Sequence, residues 1–265
     1  MKKSATLCCV IALGLVLACG DSPSSYEIET ADGHLNNARF SPDGTQLVAN
    51  LAGDVDKIVV MDVDGSNMSV VLEDVSYLTA PTWTADGESL VFNDGGISQI
   101  NPDGSGEGEL FDLFAVVPMS PDLSPDENYV VYGSNGGNTA VNALSGDEEP
   151  TDLGVNGDAP RYSPDGTQIA YATSSAVEVM DADGENIREL ITEDISYLSS
   201  VAWLPDGENL VITSQRGIEL VEVDSAERST LVDGFATMSV DVSPDGTDLV
   251  YAVNGQSNLT VVEDF

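Results

Sequence analysis

Positive charge is what this chain most lacks: 8 lysines and arginines stand against 46 aspartates and glutamates, giving a formal charge of −38 at neutral pH. Nucleic acid is thereby excluded as a natural partner, because its binding runs on lysine and arginine contacts to phosphate. Self-repulsion of this size calls for screening salt or bound cations, which fits a saline habitat. Histidine is nearly absent. The single one, His34, has no second histidine with which to share a metal and no serine or cysteine elbow beside it, so it reads as a solvated loop residue. No catalytic residue, metal or cofactor is expected. Cysteine occurs only at positions 8, 9 and 19, so the rest of the chain forms no intramolecular disulfide and must stand on packing alone. No segment of useful length carries apolar residues at helical spacing, which excludes a substantial helix.

What the chain does have is a repeat. Arg39-Phe40-Ser41-Pro42-Asp43-Gly44 recurs with the turn aspartate at Asp86, Asp126, Asp165, Asp206 and Asp245, at steps of 39 to 43 residues. Serine at the first position, proline presetting φ at the second, an aspartate that bonds its own backbone and a glycine at the fourth describe a tight turn between two strands. An apolar run follows each copy, then a Gly- or Asn-bearing loop and a second apolar run. The later turns Asp62-Val63-Asp64-Gly65, Asn101-Pro102-Asp103-Gly104, Ser145-Gly146-Asp147 and Asp181-Ala182-Asp183-Gly184 mark hairpins. They lack the alternating ligands of a calcium loop. About four short strands per ~40-residue unit predict an all-β fold, a six-bladed β-propeller. Blade 6 runs out of sequence after its third strand, whereas Tyr26-Glu27-Ile28-Glu29 sits at a fourth-strand position with no blade of its own. The N-terminal strand is therefore expected to pair with Leu259 to Glu263, complete the last blade and remove an open sheet edge. The propeller should span 26–265.

The unit Phe40 to Ala49 followed by Ile58 to Asn67, matched again over Tyr162 to Asn186, resembles the repeat of the TolB-type propeller family. The likeness covers all six units and weakens in blades 2, 3 and 5, where Ala85, Glu127 and Leu204 depart from the pattern. It implies a periplasmic, non-enzymatic protein-interaction module whose partner is a protein or a peptidoglycan-associated lipoprotein of the cell envelope. TolB itself is soluble and carries an α/β domain ahead of its propeller; neither feature is expected here. Residues 1–18 read instead as a signal peptide, with Lys2 and Lys3 ahead of an apolar stretch from Ala5 to Val16. Leu17-Ala18-Cys19-Gly20 resembles a bacterial lipobox, which implies lipidation of Cys19, a tether over 19–25 and attachment to the membrane through that lipid. Gly20 after the cysteine favours, by the same kind of resemblance, the outer membrane. A monomer is expected.

Two sets of residues are candidates for function. The face formed by the loops opposite the Ser-Pro-Asp-Gly turns carries Asn36, Asn37, Tyr77, Met119, Asn156, Asp158, Tyr197 and Met238; the tyrosines and methionines serve equally well as packing between blades. Four residues before each turn aspartate stand Arg39, Thr82, Asp122, Arg161, Ala202 and Asp241. Blade 3 abuts blade 4 and blade 6 abuts blade 1, so Asp122 is expected beside Arg161 and Asp241 beside Arg39, as structural inter-blade ion pairs. The same two arginines could instead face an anion in the channel. Glu73 to Leu78 recurs as Glu193 to Leu198 and Trp83 as Trp203, both 120 residues on, so a pseudo-twofold axis should relate blades 1–3 to blades 4–6. The alternative function is a glycan-binding or glycan-cleaving propeller that uses channel carboxylates.

Overall fold

A computed structural model describes residues 23–75, 80–111, 118–134, 139–144, 151–193, 200–234, 237–253 and 255–265. Among them lie six four-stranded antiparallel sheets and no helix. Blade 1 comprises His34–Phe40, Gln46–Ala52, Lys57–Asp62 and Ser69–Glu73, in order from the innermost strand outward. The other inner strands are Thr82–Trp83, Pro118–Leu123, Asp158–Tyr162, Val201–Trp203 and Thr237–Val242, each packed against its neighbours around the ring. The architecture is a six-bladed β-propeller.

The turn that generates the repeat behaves as its residue types require. In blade 1 the Gly44 amide donates to the Ser41 carbonyl at 2.8 Å, and the Asp43 carboxylate accepts from Ser41 Oγ at 2.7 Å and the Thr45 amide at 3.0 Å. Blade 4 repeats this at Ser163, Asp165, Gly166 and Thr167. These bonds hold the carboxyls of Asp43, Asp86, Asp126, Asp165 and Asp245 below the ordinary aspartate range. In blade 3, Glu127 stands where glycine stands elsewhere and keeps φ at 55°. Three of the expected hairpin turns close in the same way, at Asp62–Gly65, Asn101–Gly104 and Asp181–Gly184. The fourth, at Ser145, lies outside the described residues.

Alternation along each strand divides the core into layers between blades. In the second strand of blade 1, Leu47 and Ala49 face blade 6 and meet Val250, Leu259 and Val261, whereas Val48 faces blade 2 and meets Trp83, Leu90 and Phe92. Burying one such Val, Leu, Ile or Phe side chain contributes about 1.5–3 kcal/mol. The ring closes where the sequence expects. Ser24–Ile28 pairs with Leu259–Glu263 from Ser24 opposite Glu263 to Ile28 opposite Leu259, and Ile28 packs in the blade 1/6 layer. The strand starts two residues ahead of Tyr26.

Candidate functional site in the channel

The inner strands carry the charged layer, and irregularities in them set its geometry. In blade 1, three steps from Asn36 to Arg39 are matched by only two on the partner strand, from Asn50 to Val48. The same bulge falls between Met119 and Asp122 and between Asp158 and Arg161; blade 6 has one between Thr237 and Ser239. At the first three bulges a non-glycine residue takes positive φ: Asn37 at 50°, Ser120 at 48° and Ala159 at 48°. A bulge re-aims the side chains that follow it. Here those side chains are Arg39, Asp122, Arg161 and Asp241.

The expected ion pairs between neighbouring blades are not the ones that form. Each acid does reach the next blade, but through its main chain: Asp122 Oδ2 accepts from the Tyr162 amide and Asp241 Oδ2 from the Phe40 amide, both at 2.9 Å. The reason is reach. An aspartate is short and meets the adjacent strand, whereas an arginine is long enough to pass beyond it. Arg39 skips blade 2 and donates from Nη1 to Asp122 Oδ1 at 2.7 Å and from Nη2 to the Pro121 carbonyl at 3.2 Å, with its side chain 6% exposed. Arg161, 8% exposed, turns back instead and donates from Nη1 to the Pro160 carbonyl at 3.0 Å. Its Nε has no partner, and among the described residues it makes no ion pair.

The electrostatics follow from this arrangement. Burial is the first cause that lowers the Arg161 guanidinium to about 10; the Arg39 charge adds to it, and Asp122 and Asp241 oppose it. Burial likewise raises the Asp241 carboxyl to about 6 against the pull of Arg39, the Phe40 amide and Arg161, with Asp122 pushing it further up. All four groups thus feel one another. Thr82 and Ala202, buried and uncharged, complete the layer.

Two tryptophans tie the layer to the blades behind it: Trp83 Nε1 donates to the Arg39 carbonyl at 3.3 Å and Trp203 Nε1 to the Arg161 carbonyl at 3.1 Å. These bonds repeat across half the ring, as do the two aspartate-to-amide bonds, in keeping with the duplicated sequence.

Of the residues expected on the loop face, Asn36 is buried, and the Asn37 amide donates to Ser239 Oγ of blade 6 at 3.1 Å. Asn156 is exposed, and Asp158 is partly buried, which raises its carboxyl above the ordinary range. Tyr77 and Tyr197 lie outside the described residues, as does Cys19; Met119 and Met238 fall on inner strands whose backbone alone is described there. His34 opens the blade 1 inner strand, exposed, with Nδ1 3.3 Å from the Gln256 carbonyl. The four charged residues of the channel come together.

Sequence reasoning missed a second buried charge. Glu219, 1% exposed on the third strand of blade 5, accepts from Ser214 Oγ at 2.6 Å and from Nε and Nη2 of Arg228. Its signal was a glutamate between Ile218 and Leu220 in an otherwise apolar strand. On the turn face, a groove of about 680 Å³ between blades 3 and 4 is lined by Tyr129, Val141, Leu153 and Tyr162. Among the described residues no group of three or more His, Cys, Asp or Glu side chains is placed to hold a metal.

No family model and no curated protein matches this chain. Solved structures do. A protein assigned as TolB from Agrobacterium tumefaciens is 19% identical with a TM-score of 0.66, over 88% of this chain and 91% of that one. An oligogalacturonate lyase in complex with manganese is 16% identical with a TM-score of 0.58, over 86% and 71%. TolB from Acinetobacter baumannii is 17% identical with a TM-score of 0.62, over 74% of this chain but only 53% of its own. At these identities the likeness is one of fold, and the fold that this chain shares with the TolB structures is the six-bladed propeller.

Proposed function

We propose that this chain is a non-enzymatic, lipid-anchored propeller of the bacterial cell envelope that recruits a protein partner through its loop face. The observation that carries the choice of face is the direction of the first strand. Ser24 pairs with Glu263, and the Phe265 amide donates to the Thr247 carbonyl beside the last Ser-Pro-Asp-Gly turn, so the chain enters the ring on the turn face. Five residues from Cys19 to Ser24 reach about 18 Å at most. A lipid on Cys19 therefore holds the turn face toward the membrane and turns the loop face, with exposed Asn156, away from it. The channel supports a binding rather than a cleaving role, because both of its aspartates are held by the protein, Asp122 by Arg39 and the Tyr162 amide and Asp241 by the Phe40 amide. The TolB structures of the same fold are consistent with an envelope location.

Two experiments test this reading. Cys19→Ser is expected to move the protein from the detergent-soluble membrane fraction to the aqueous one; unchanged partitioning removes the anchor. A photo-cross-linking residue at Asn156 is expected to capture one envelope protein that the same residue at Asp64, on the turn face, does not. Capture at Asp64 alone reverses the face. Binding of lysozyme-released peptidoglycan fragments or other glycans, with no protein captured at either position, would favour the glycan alternative.

A further inference from the structure

The two halves of the ring present the same donors and acceptors, and one half leaves them unused. In the first half the Arg39 guanidinium reaches past blade 2, whose residue in the layer is the buried Thr82, to Asp122. The equivalent route in the second half passes Ala202 toward Asp241. Arg161 does not take it, because its Nη1 is turned onto Pro160. Its Nε is buried without a partner, and Nε with Nη2 forms the flat edge of the guanidinium that suits a planar two-oxygen acceptor. Arg39 Nε is unpartnered as well, but both of its terminal nitrogens are bonded. Asp241, whose charge Arg161 feels, uses only Oδ2, for the Phe40 amide.

We infer that the unpartnered Arg161 edge of the charged layer is a carboxylate-binding site, in which the ligand's two oxygens accept from Nε and Nη2 of Arg161 while Asp241 carries a proton. The inference deepens the reading of the propeller as an interaction module by naming the group that a partner would insert into the channel. The charge count requires the proton. Two arginines and two aspartates are already balanced, so a further carboxylate enters at low cost only where one acid of the layer is neutral. Asp241 is that acid: burial raises its carboxyl, Arg39 from blade 1, Arg161 from blade 4 and Asp122 from blade 3 are the charged groups facing it, and Thr82 and Ala202 bring none from blades 2 and 5. The carboxylate has two sources, a free small acid or the C-terminus of a polypeptide.

The test is a titration of the Cys19→Ser chain with sodium acetate against sodium chloride at constant ionic strength, read on the five arginine Nε–H signals by NMR. An acetylated Gly-Gly-Ala peptide, with a free or an amidated C-terminus, separates the two sources. Acetate and the free-acid peptide binding alike indicate a small acid. The peptide binding at least tenfold more tightly, with its amide inert, indicates a polypeptide; either outcome supports the site. Arg161→Lys, which keeps the charge and loses the flat edge together with its signal, should abolish binding of both probes in isothermal titration calorimetry. Asp241→Asn supplies an independent arm should the lysine variant fail to fold. With about a tenth of Asp241 protonated at pH 7, the variant should bind acetate roughly tenfold more tightly and lose the pH dependence between 5.5 and 7.5. No response of the Arg161 signal to either probe, an equal response to chloride, or an Asp241→Asn affinity that equals the parent's would overturn the site. None of these outcomes depends on whether the cross-linking experiment finds a partner.

Discussion

Blades 1–3 and blades 4–6 carry an arginine and an aspartate at the same depth of the channel, yet one half satisfies its pair and the other does not. Both halves bind the next blade in the same way, aspartate to amide and tryptophan to carbonyl. The difference begins after that. Arg39 completes an ion pair across blade 2, and Arg161 stays on its own blade. Register between blades thus depends on short side chains and main chain, which duplication preserves, whereas the long side chains are free to diverge. Removing one partner of a buried pair leaves an uncompensated charge and costs about 3–5 kcal/mol. Asp122→Ala should therefore lower the unfolding free energy by about that amount, while Asp241→Ala, which breaks no ion pair, should cost well under half as much. A double-mutant cycle should show coupling between Arg39 and Asp122 and little between Arg161 and Asp122. Equal losses at the two aspartates in denaturant unfolding would erase the distinction between the halves.

Acidification sharpens the comparison through a second pair of regions, the channel and the turn face. The folded Asp241 carboxyl, at about 6, lies above its unfolded value near 3.9. The folded state therefore binds this proton more tightly, and stability should rise as pH falls from about 6 to about 4, by on the order of 2 kcal/mol. The turn aspartates run the other way. Their folded carboxyls lie below the unfolded value, so the stability they confer is present above about pH 4 and is lost as pH falls further. A stability maximum between pH 4 and 6 is expected in thermal unfolding, with the rise on its alkaline side absent in Asp241→Asn. A rise that persists in this variant would move the effect away from the channel.

The bonds shared by the halves should respond alike. Trp83→Phe and Trp203→Phe keep most of the ring and remove one hydrogen bond each, a loss of about 1 kcal/mol apiece. A loss at only one would show that the common scaffold has diverged as well.

These contrasts show how far the sequence could be read. The ring was legible because each turn calls for serine, proline, aspartate and glycine at fixed places, and the aspartate marks all six blades even where Ala85, Glu127 or Leu204 intrudes. Closure was legible from the unpaired strand around Tyr26. The charged layer was legible as a set, since Arg39, Asp122, Arg161 and Asp241 share one offset from the turn. Their partners were not. Choosing between Asp122 and Asp241 for Arg39 depends on how far a guanidinium travels across the channel and on bulges at Asn37, Ser120 and Ala159. Neither serine nor alanine advertises a left-handed backbone, so the feature that aims the side chains had no signature of its own.

The smallest predicted effect lies at those bulges. Asn37 and Ala159 occupy equivalent positions, two residues before Arg39 and Arg161, with φ of 50° and 48°. A left-handed conformation costs an ordinary L-residue roughly 1–2 kcal/mol, less for asparagine, whose side chain bonds its local backbone. Alanine has no such help, and Ala159 also precedes Pro160, which narrows its backbone further. Glycine removes the steric cost but gives the unfolded chain about 0.5–1 kcal/mol of extra freedom. The balance predicts that Ala159→Gly stabilises the propeller by about 0.5–1 kcal/mol, whereas Asn37→Gly changes it by only a few tenths. Chemical unfolding of the two variants side by side measures this difference, and a destabilised Ala159→Gly would mean that the alanine methyl packs at the bulge more favourably than its backbone angle costs.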